Sequence, residues 1–212
     1  MTSLVLIPLV LLGADEPRWK LSAEDDGIKI YGREREGSEV REMRAIGLID
    51  ATPHEIWKAL RDLEAYTKTM PYTEVAKVLK RSEGDKEILF YSCLNTPLVS
   101  KRDYIIKLVD ESDWKDGKGF LKVSWTAVND QDALVPVKDD IVRVRVNDGY
   151  WLLEPREDGK KTFATYYIYT SPGGSIPNWI ANKANGIAVP KVFAAIKKVV
   201  KEQRDAAAAG SK

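Results

Sequence analysis

Cysteine and histidine occur once each in the 212 residues, as Cys93 and His54. A lone thiol excludes an intrachain disulfide and any cysteine-based zinc site. A lone imidazole excludes the histidine clusters of most metal centres and leaves a nucleophile–base pair only one place to form. Neither sign of charge is in surplus: 33 Lys and Arg face 32 Asp and Glu, for a formal net charge of +1. Binding nucleic acid calls for a concentrated excess of basic residues, so that class of partner is not expected. No apolar run approaches the roughly 20 residues of a membrane-spanning helix. What remains, 44% hydrophobic and 31% charged, is the balance of a folded globular chain. Its length suits one large domain with a real core.

The amino terminus differs from the rest. Residues 4–12 read LVLIPLVLL and are followed by Gly13-Ala14 and then Asp15-Glu16-Pro17. Nine apolar residues ahead of small ones fit the core of a signal peptide cleaved near Ala14. Residues 1–14 are therefore expected to be removed on export to the periplasm or the medium. Because Met1-Thr2-Ser3 carries no basic residue, a cytoplasmic location is the alternative.

Beyond Trp19 the pattern is mostly that of strands. Segments 28–33 and 40–50 are rich in β-formers and flank Glu36-Gly37-Ser38, a hairpin signal. Thr52-Pro53-His54-Glu55 then reads as a capping box with proline at the first helical position. Ile56, Leu60 and Leu63 follow at helical spacing until Pro71. Strands are expected at 76–81, 87–94, 103–110, 119–127, 141–146, 150–155 and 162–170. Asp113 to Lys118, Asn147-Asp148-Gly149 and Asp158-Gly159 supply turn chemistry between them. Residues 128–140 form a long loop with an apolar centre, Leu134-Val135-Pro136-Val137, the composition of a lid. A second helical pattern spans 177–204, with Pro190 expected to kink or split it, and 206–212 reads as a disordered tail. The fold class is α+β: six to nine antiparallel strands curve around one long carboxy-terminal helix and leave a concave apolar space between them.

Apparent catalytic signals fail on inspection. His54-Glu55-Ile56-Trp57-Lys58 starts like a zinc-protease helix but has Lys58 where a second histidine must stand. Gly173-Gly174-Ser175-Ile176-Pro177 lacks the last glycine of a nucleophile elbow. Gly117-Lys118-Gly119 is a hairpin turn with neither a third glycine nor a helix after it. No catalytic residue, cofactor or metal site is expected.

Several segments, in order, match a known family. They are Asp26-Gly27-Ile28-Lys29-Ile30-Tyr31, the 52–57 segment Thr-Pro-His-Glu-Ile-Trp, Met70-Pro71, and Pro97-Leu98-Val99-Ser100-Lys101-Arg102-Asp103-Tyr104. Gly149-Tyr150-Trp151-Leu152-Leu153-Glu154-Pro155 and Pro172-Gly173-Gly174-Ser175-Ile176-Pro177-Asn178-Trp179 complete the series. Through them the chain, over 19–205, resembles a bacterial-type START (StAR-related lipid-transfer) domain of the helix-grip, or SRPBCC, superfamily. The resemblance implies a ligand tunnel between sheet and last helix. It also implies a lipid or other hydrophobic small molecule as partner, and a carrier or sensor that catalyses nothing. A polyketide cyclase or aromatase on the same fold is the alternative, and a ligand-controlled interaction module a third reading.

Strand alternation then picks out candidate ligand-facing residues. One row is Leu89, Tyr91, Cys93 and Asn95, and the next is Tyr104, Ile106 and Leu108. Val123, Trp125 and Tyr166 come from later strands, and Ile180, Ala184 and Ile187 from the helix. Leu134, Val135, Pro136 and Val137 are the expected gate. Leu89 and Leu108 stand where the sterol-carrying branch of the resembled family holds an acid–base pair, which implies a greasier pocket here. Arg102 and Asp103 are expected to anchor a strand end through charge-assisted hydrogen bonds. Transient contact with an anionic membrane surface through the lysines of the last helix is a further expectation, and the protein is expected to be a monomer.

Overall fold

In the computed structural model the described residues are 18–97, 99–174 and 176–210; the side chains of Asn178, Ala181, Ala184, Asn185 and Gly210 lie outside the description. The expected signal segment, residues 1–14, also falls outside it, as do Leu98 and Ser175.

Among the described residues eleven strands form one sheet, antiparallel in every pairing but one. They are β1 (Lys20–Asp25), β2 (Ile28–Arg35), β3 (Ser38–Ile49), β4 (Thr73–Arg81), β5 (Glu87–Leu94), β6 (Arg102–Asp110), β7 (Asp113–Lys115), β8 (Lys118–Ala127), β9 (Val142–Arg143), β10 (Val146–Arg156) and β11 (Lys161–Ser171). Their spatial order is β1-β2-β3-β11-β10-β8-β6-β5-β4, with β7 beside β8 and the short β9 running parallel to β6. The helices are α1 (Pro53–Arg61), the single turn α2 (Tyr66–Thr69) and α3 (Asn178–Gly210). The sheet stays open and curves around α3, the helix-grip arrangement expected from the sequence.

Local chemistry explains the elements. Thr52 caps α1: its hydroxyl accepts from the Glu55 amide at 3.3 Å while the Glu55 carboxylate accepts from the Thr52 amide at 2.8 Å. Ile56, Ala59 and Leu60 are then turned inward. Asp26-Gly27 sits at positive φ (47° and 72°), the conformation that a tight hairpin between β1 and β2 requires. The core lies between the sheet and α3, where Ile30, Phe90, Leu153 and Ala164 meet Val189, Phe193 and Ile196.

Two expectations about turns are corrected. Asn147-Asp148-Gly149 is not a turn: β10 runs straight through it. Its polar side chains bond sideways, Asn147 Oδ1 accepting from Trp125 Nε1 at 3.1 Å and Asp148 from the Thr126 hydroxyl, and the Trp125 ring fills the space beside Gly149. Asp113 to Lys118 holds the short β7 as well as a turn. β1 went unread because all six of its residues are exposed and show no alternation. At the other end α3 continues to Gly210, so most of the expected tail is helical, and Pro190 is accommodated within one helix.

Candidate functional site

A cavity of about 250 Å³ lies between the sheet and α3. Its floor comes from alternate residues of β6, β8, β10 and β11, namely Tyr104, Ile106 and Leu108, Val123 and Trp125, Trp151, and Tyr166 and Ile168. The roof is Ala188 and Val192 of α3, and one end is closed by Leu60 of α1 and Leu63 just after it. At the other end the loops between secondary-structure elements contribute Tyr72, Thr96, Val99, Pro172 and Ile176.

Six of the sequence-derived candidates, Tyr104, Ile106, Leu108, Val123, Trp125 and Tyr166, line this cavity. The row from β5 is corrected. Cross-strand partners in an antiparallel pair share a face, and Phe90 pairs with Ile106 while Tyr91 pairs with Ile105. Phe90 and Leu94 therefore face the cavity, and Leu89, Tyr91 and Cys93 face away from it. They pack instead with Ile105 and Ile141 in a small second core. Asn95 lies exposed past the end of β5, with its amide donating to the Tyr72 carbonyl at 2.8 Å.

The helix candidates also shift. Ile180 is half-buried away from the cavity, Ile187 is 44% exposed, and the Ala184 side chain lies outside the description. The register that does reach the cavity, Ala188 and Val192, begins about one turn later.

The expected gate is corrected for a similar reason. Val135 packs into the second core with Tyr91 and Cys93, on the side of the sheet away from α3, while Leu134 and Val137 are exposed. Pro136 stands between them, and none of the four lines the cavity. Electrostatics holds this loop down. Arg143 donates from Nε to Asp103 Oδ1 at 2.7 Å and from Nη2 to the Val135 carbonyl at 3.1 Å, and Asp132 accepts from Arg143 and Arg145.

The cavity is chemically quiet. Among the described residues its lining has no carboxylate, imidazole, thiol or amine, and no group of acids, histidines and cysteines is placed to hold a metal ion. Three of its phenols are kept protonated: burial pushes Tyr66, Tyr104 and Tyr166 above the usual tyrosine range. The Tyr66 hydroxyl is spent on the Leu60 carbonyl at 2.7 Å. Among the described residues Arg102 is the one charged side chain in the lining.

Sequence reading missed the fastening of α3. Its carboxy-terminal half is buried through Val189, Phe193, Ile196 and Val200. Before Pro190, Trp179 is 66% exposed. The tethers there are polar: Asn182 bridges the Arg41 amide and the Glu39 carbonyl at 3.0 and 3.2 Å. Lys191 lies over the Tyr72 ring, 4.8 Å from its centroid, and bonds the Tyr72 hydroxyl. Tyr72 holds φ +60°, an uncommon conformation for an aromatic residue.

Comparison with known proteins agrees with this architecture. A family model described as polyketide cyclase / dehydrase and lipid transport matches residues 49–197. A STAR-related lipid transfer protein from Xanthomonas axonopodis superposes with a TM-score of 0.76 at 32% identity, covering 86% of this chain and 98% of that one. An uncharacterized protein of Pseudomonas aeruginosa is 32% identical over 167 residues, 77% of each chain. The phosphatidylcholine transfer protein of Mus musculus is 28% identical over 183 residues, 85% of this chain and 81% of its own.

Proposed function

Because the chain belongs to the polyketide cyclase/dehydrase and lipid-transport family, we propose that it takes up one lipid or other apolar molecule between sheet and α3. It then carries or senses that molecule without converting it. The observation that carries this reading is the cavity itself, walled by aliphatic and aromatic side chains. A ligand leaving water for such walls gains about 25 cal/mol per Å² of apolar surface. The similarity to lipid-transfer proteins over most of the chain supports the same assignment.

Ring closure of a polyketide needs a group to take up a proton. Among the described residues the lining offers no carboxylate, imidazole or amine for that step, and its buried phenols of Tyr66, Tyr104 and Tyr166 are held protonated, which supports carriage over catalysis.

At about 250 Å³ the cavity sits just below the roughly 300–1,000 Å³ of most small-molecule sites. It holds one chain-like molecule as it stands, and a two-chain lipid requires widening. The segment of α3 before Pro190 supplies the means. Pro190 has no amide hydrogen, so the helical bond back to residue 186 is missing and the segment before it can swing. Trp179, Lys183 and Ile187 recur every fourth residue and are exposed on that segment, a stripe suited to a membrane interface.

The test is transfer of a fluorescent lipid between donor and acceptor vesicles. Catalytic amounts of protein should accelerate it well above the spontaneous rate, and an unchanged rate with no lipid retained by the protein would refute the proposal.

A further inference from the structure

Among the described residues, the one charge in the cavity lining has no counter-charge. Arg102, the first residue of β6, is 7% exposed. Its Nη1 donates to the Ser100 carbonyl, while its Nε is buried without a partner. Burial alone acts on this guanidinium and lowers its pKa, whereas Arg143 and Arg204 are raised by the carboxylates of Asp103 and Glu55. A guanidinium keeps its proton at any physiological pH, so the unmet positive charge is a permanent feature of the cavity.

Two other arginines carry a buried nitrogen without a partner, and both are compensated. Arg44 lies over the rings of Trp19 and Tyr31, and Arg61 over that of Trp57. Among the described residues no ring underlies Arg102. Gly174, at φ +69°, lies beside it: a Cβ there would make ordinary contact with Arg102 Nη2 at 4.0 Å and Val142 Cγ2 at 3.5 Å. A buried guanidinium in the lining of an apolar chamber, with no carboxylate beside it among the described residues, matches an oxyanion.

We infer that Arg102 anchors the anionic head of an amphiphilic ligand, a phosphate or a carboxylate, whose hydrocarbon chain runs inward past Phe90, Ile106, Leu108 and Val123. The inference rests on the carrier reading and narrows its ligand to amphiphiles with an oxyanion beside the chain. Arg102 sits at the loop end of the cavity, with Thr96, Val99 and Pro172, and the opposite end past Leu60 and Leu63 offers only apolar surface. The head is therefore held near the loops and the chain tail near α1.

Three ten-carbon ligands that share a chain and differ in head group test this: decanoate, decyl phosphate and decanol. Binding is followed at neutral pH through the fluorescence of Trp125 and Trp151, both in the lining. On the native protein at least one anion should bind about tenfold or more tighter than decanol. The tighter anion identifies the head as phosphate or carboxylate. In Arg102→Met the anions should fall to the level of decanol, and Arg102→Lys, a point charge without the fork, should restore part of the preference. Equal binding of all three ligands to the native protein would overturn the inference and leave the carrier reading standing. Binding of none would overturn both. The comparison on the native protein needs no variant to fold.

Discussion

Arg102 and Asp103 are consecutive in β6, yet their charged groups lie on opposite sides of the sheet. Asp103 takes a two-pronged ion pair from Arg143, at 2.7 and 3.0 Å, and a hydrogen bond from the Tyr91 hydroxyl at 3.1 Å, all on the side away from α3. Arg102 points the other way, into the cavity. One residue of strand alternation thus separates a buried pair that fastens the 128–141 loop from a buried cation left for a ligand.

The Asp103–Arg143 pair should dominate the stability of that loop. Both side chains are almost fully buried, so Arg143→Met leaves a carboxylate without its cation and should cost about 3–5 kcal/mol in chemical denaturation. Replacing both, Asp103→Leu with Arg143→Met, should cost less than the single change. A single variant within about 1 kcal/mol of the native protein would show that the pair fastens nothing.

The two faces of β5 and β6 should separate binding from packing. Val192→Trp fills the cavity from the α3 side and should lower lipid retention about tenfold or more with little change in melting temperature. Leu89→Ala, on the outer face, should leave retention intact. Should Leu89→Ala abolish retention and Val192→Trp spare it, the chamber has been placed on the wrong side of the sheet.

Loosening the Lys191–Tyr72 contact should change speed more than affinity. A cation–π contact at an exposed site contributes about 0.5–1 kcal/mol. Lys191→Met should therefore raise the rate of vesicle-to-vesicle transfer about two- to fivefold. Pro190→Ala restores the missing amide donor and should slow transfer. Stopped-flow fluorescence reads both, and rates that move in the opposite directions would place the opening elsewhere.

Acid should loosen the junction of α1 and α3. Arg204 and Thr52 bond the Glu55 carboxylate and hold its pKa at about 2, below its ordinary 4.5. A depressed carboxylate contributes stability that is complete above the unfolded value and is lost as pH falls toward the folded one. Melting temperature should decline between about pH 5 and pH 2, and Glu55→Gln should flatten that decline at a cost of about 1 kcal/mol at neutral pH. A slope identical in the variant would remove Glu55 from the account.

Much of this was legible in the chain itself. The capping box fixed the first residue of α1, although the helix expected to run until Pro71 breaks at Asp62, and turn chemistry placed most strands within a few positions. In β6 the polar Asp103 and Lys107 set the alternation, and its inner row was read as the structure has it. β5 offered no such contrast. Ile88 and Phe90 are buried on one face and Tyr91 and Cys93 on the other, because the 128–141 loop covers the outer side, and a strand buried on both faces loses its period. The apolar centre of that loop marked a surface to pack against rather than a lid. Arg102 was expected to anchor the strand end through charge-assisted hydrogen bonds, and its bond to the Ser100 carbonyl is one, but it has no carboxylate partner among the described residues. Its isolation follows from Arg143, 40 residues beyond Asp103, a distance no local pattern spans.

The most direct measurement is native mass spectrometry of the protein after incubation with phospholipid and fatty-acid vesicles and re-isolation. The account predicts a population heavier than the polypeptide by the mass of one lipid, reduced in Val192→Trp. Recovery of the bare polypeptide mass alone, under conditions that keep the chain folded, would contradict it.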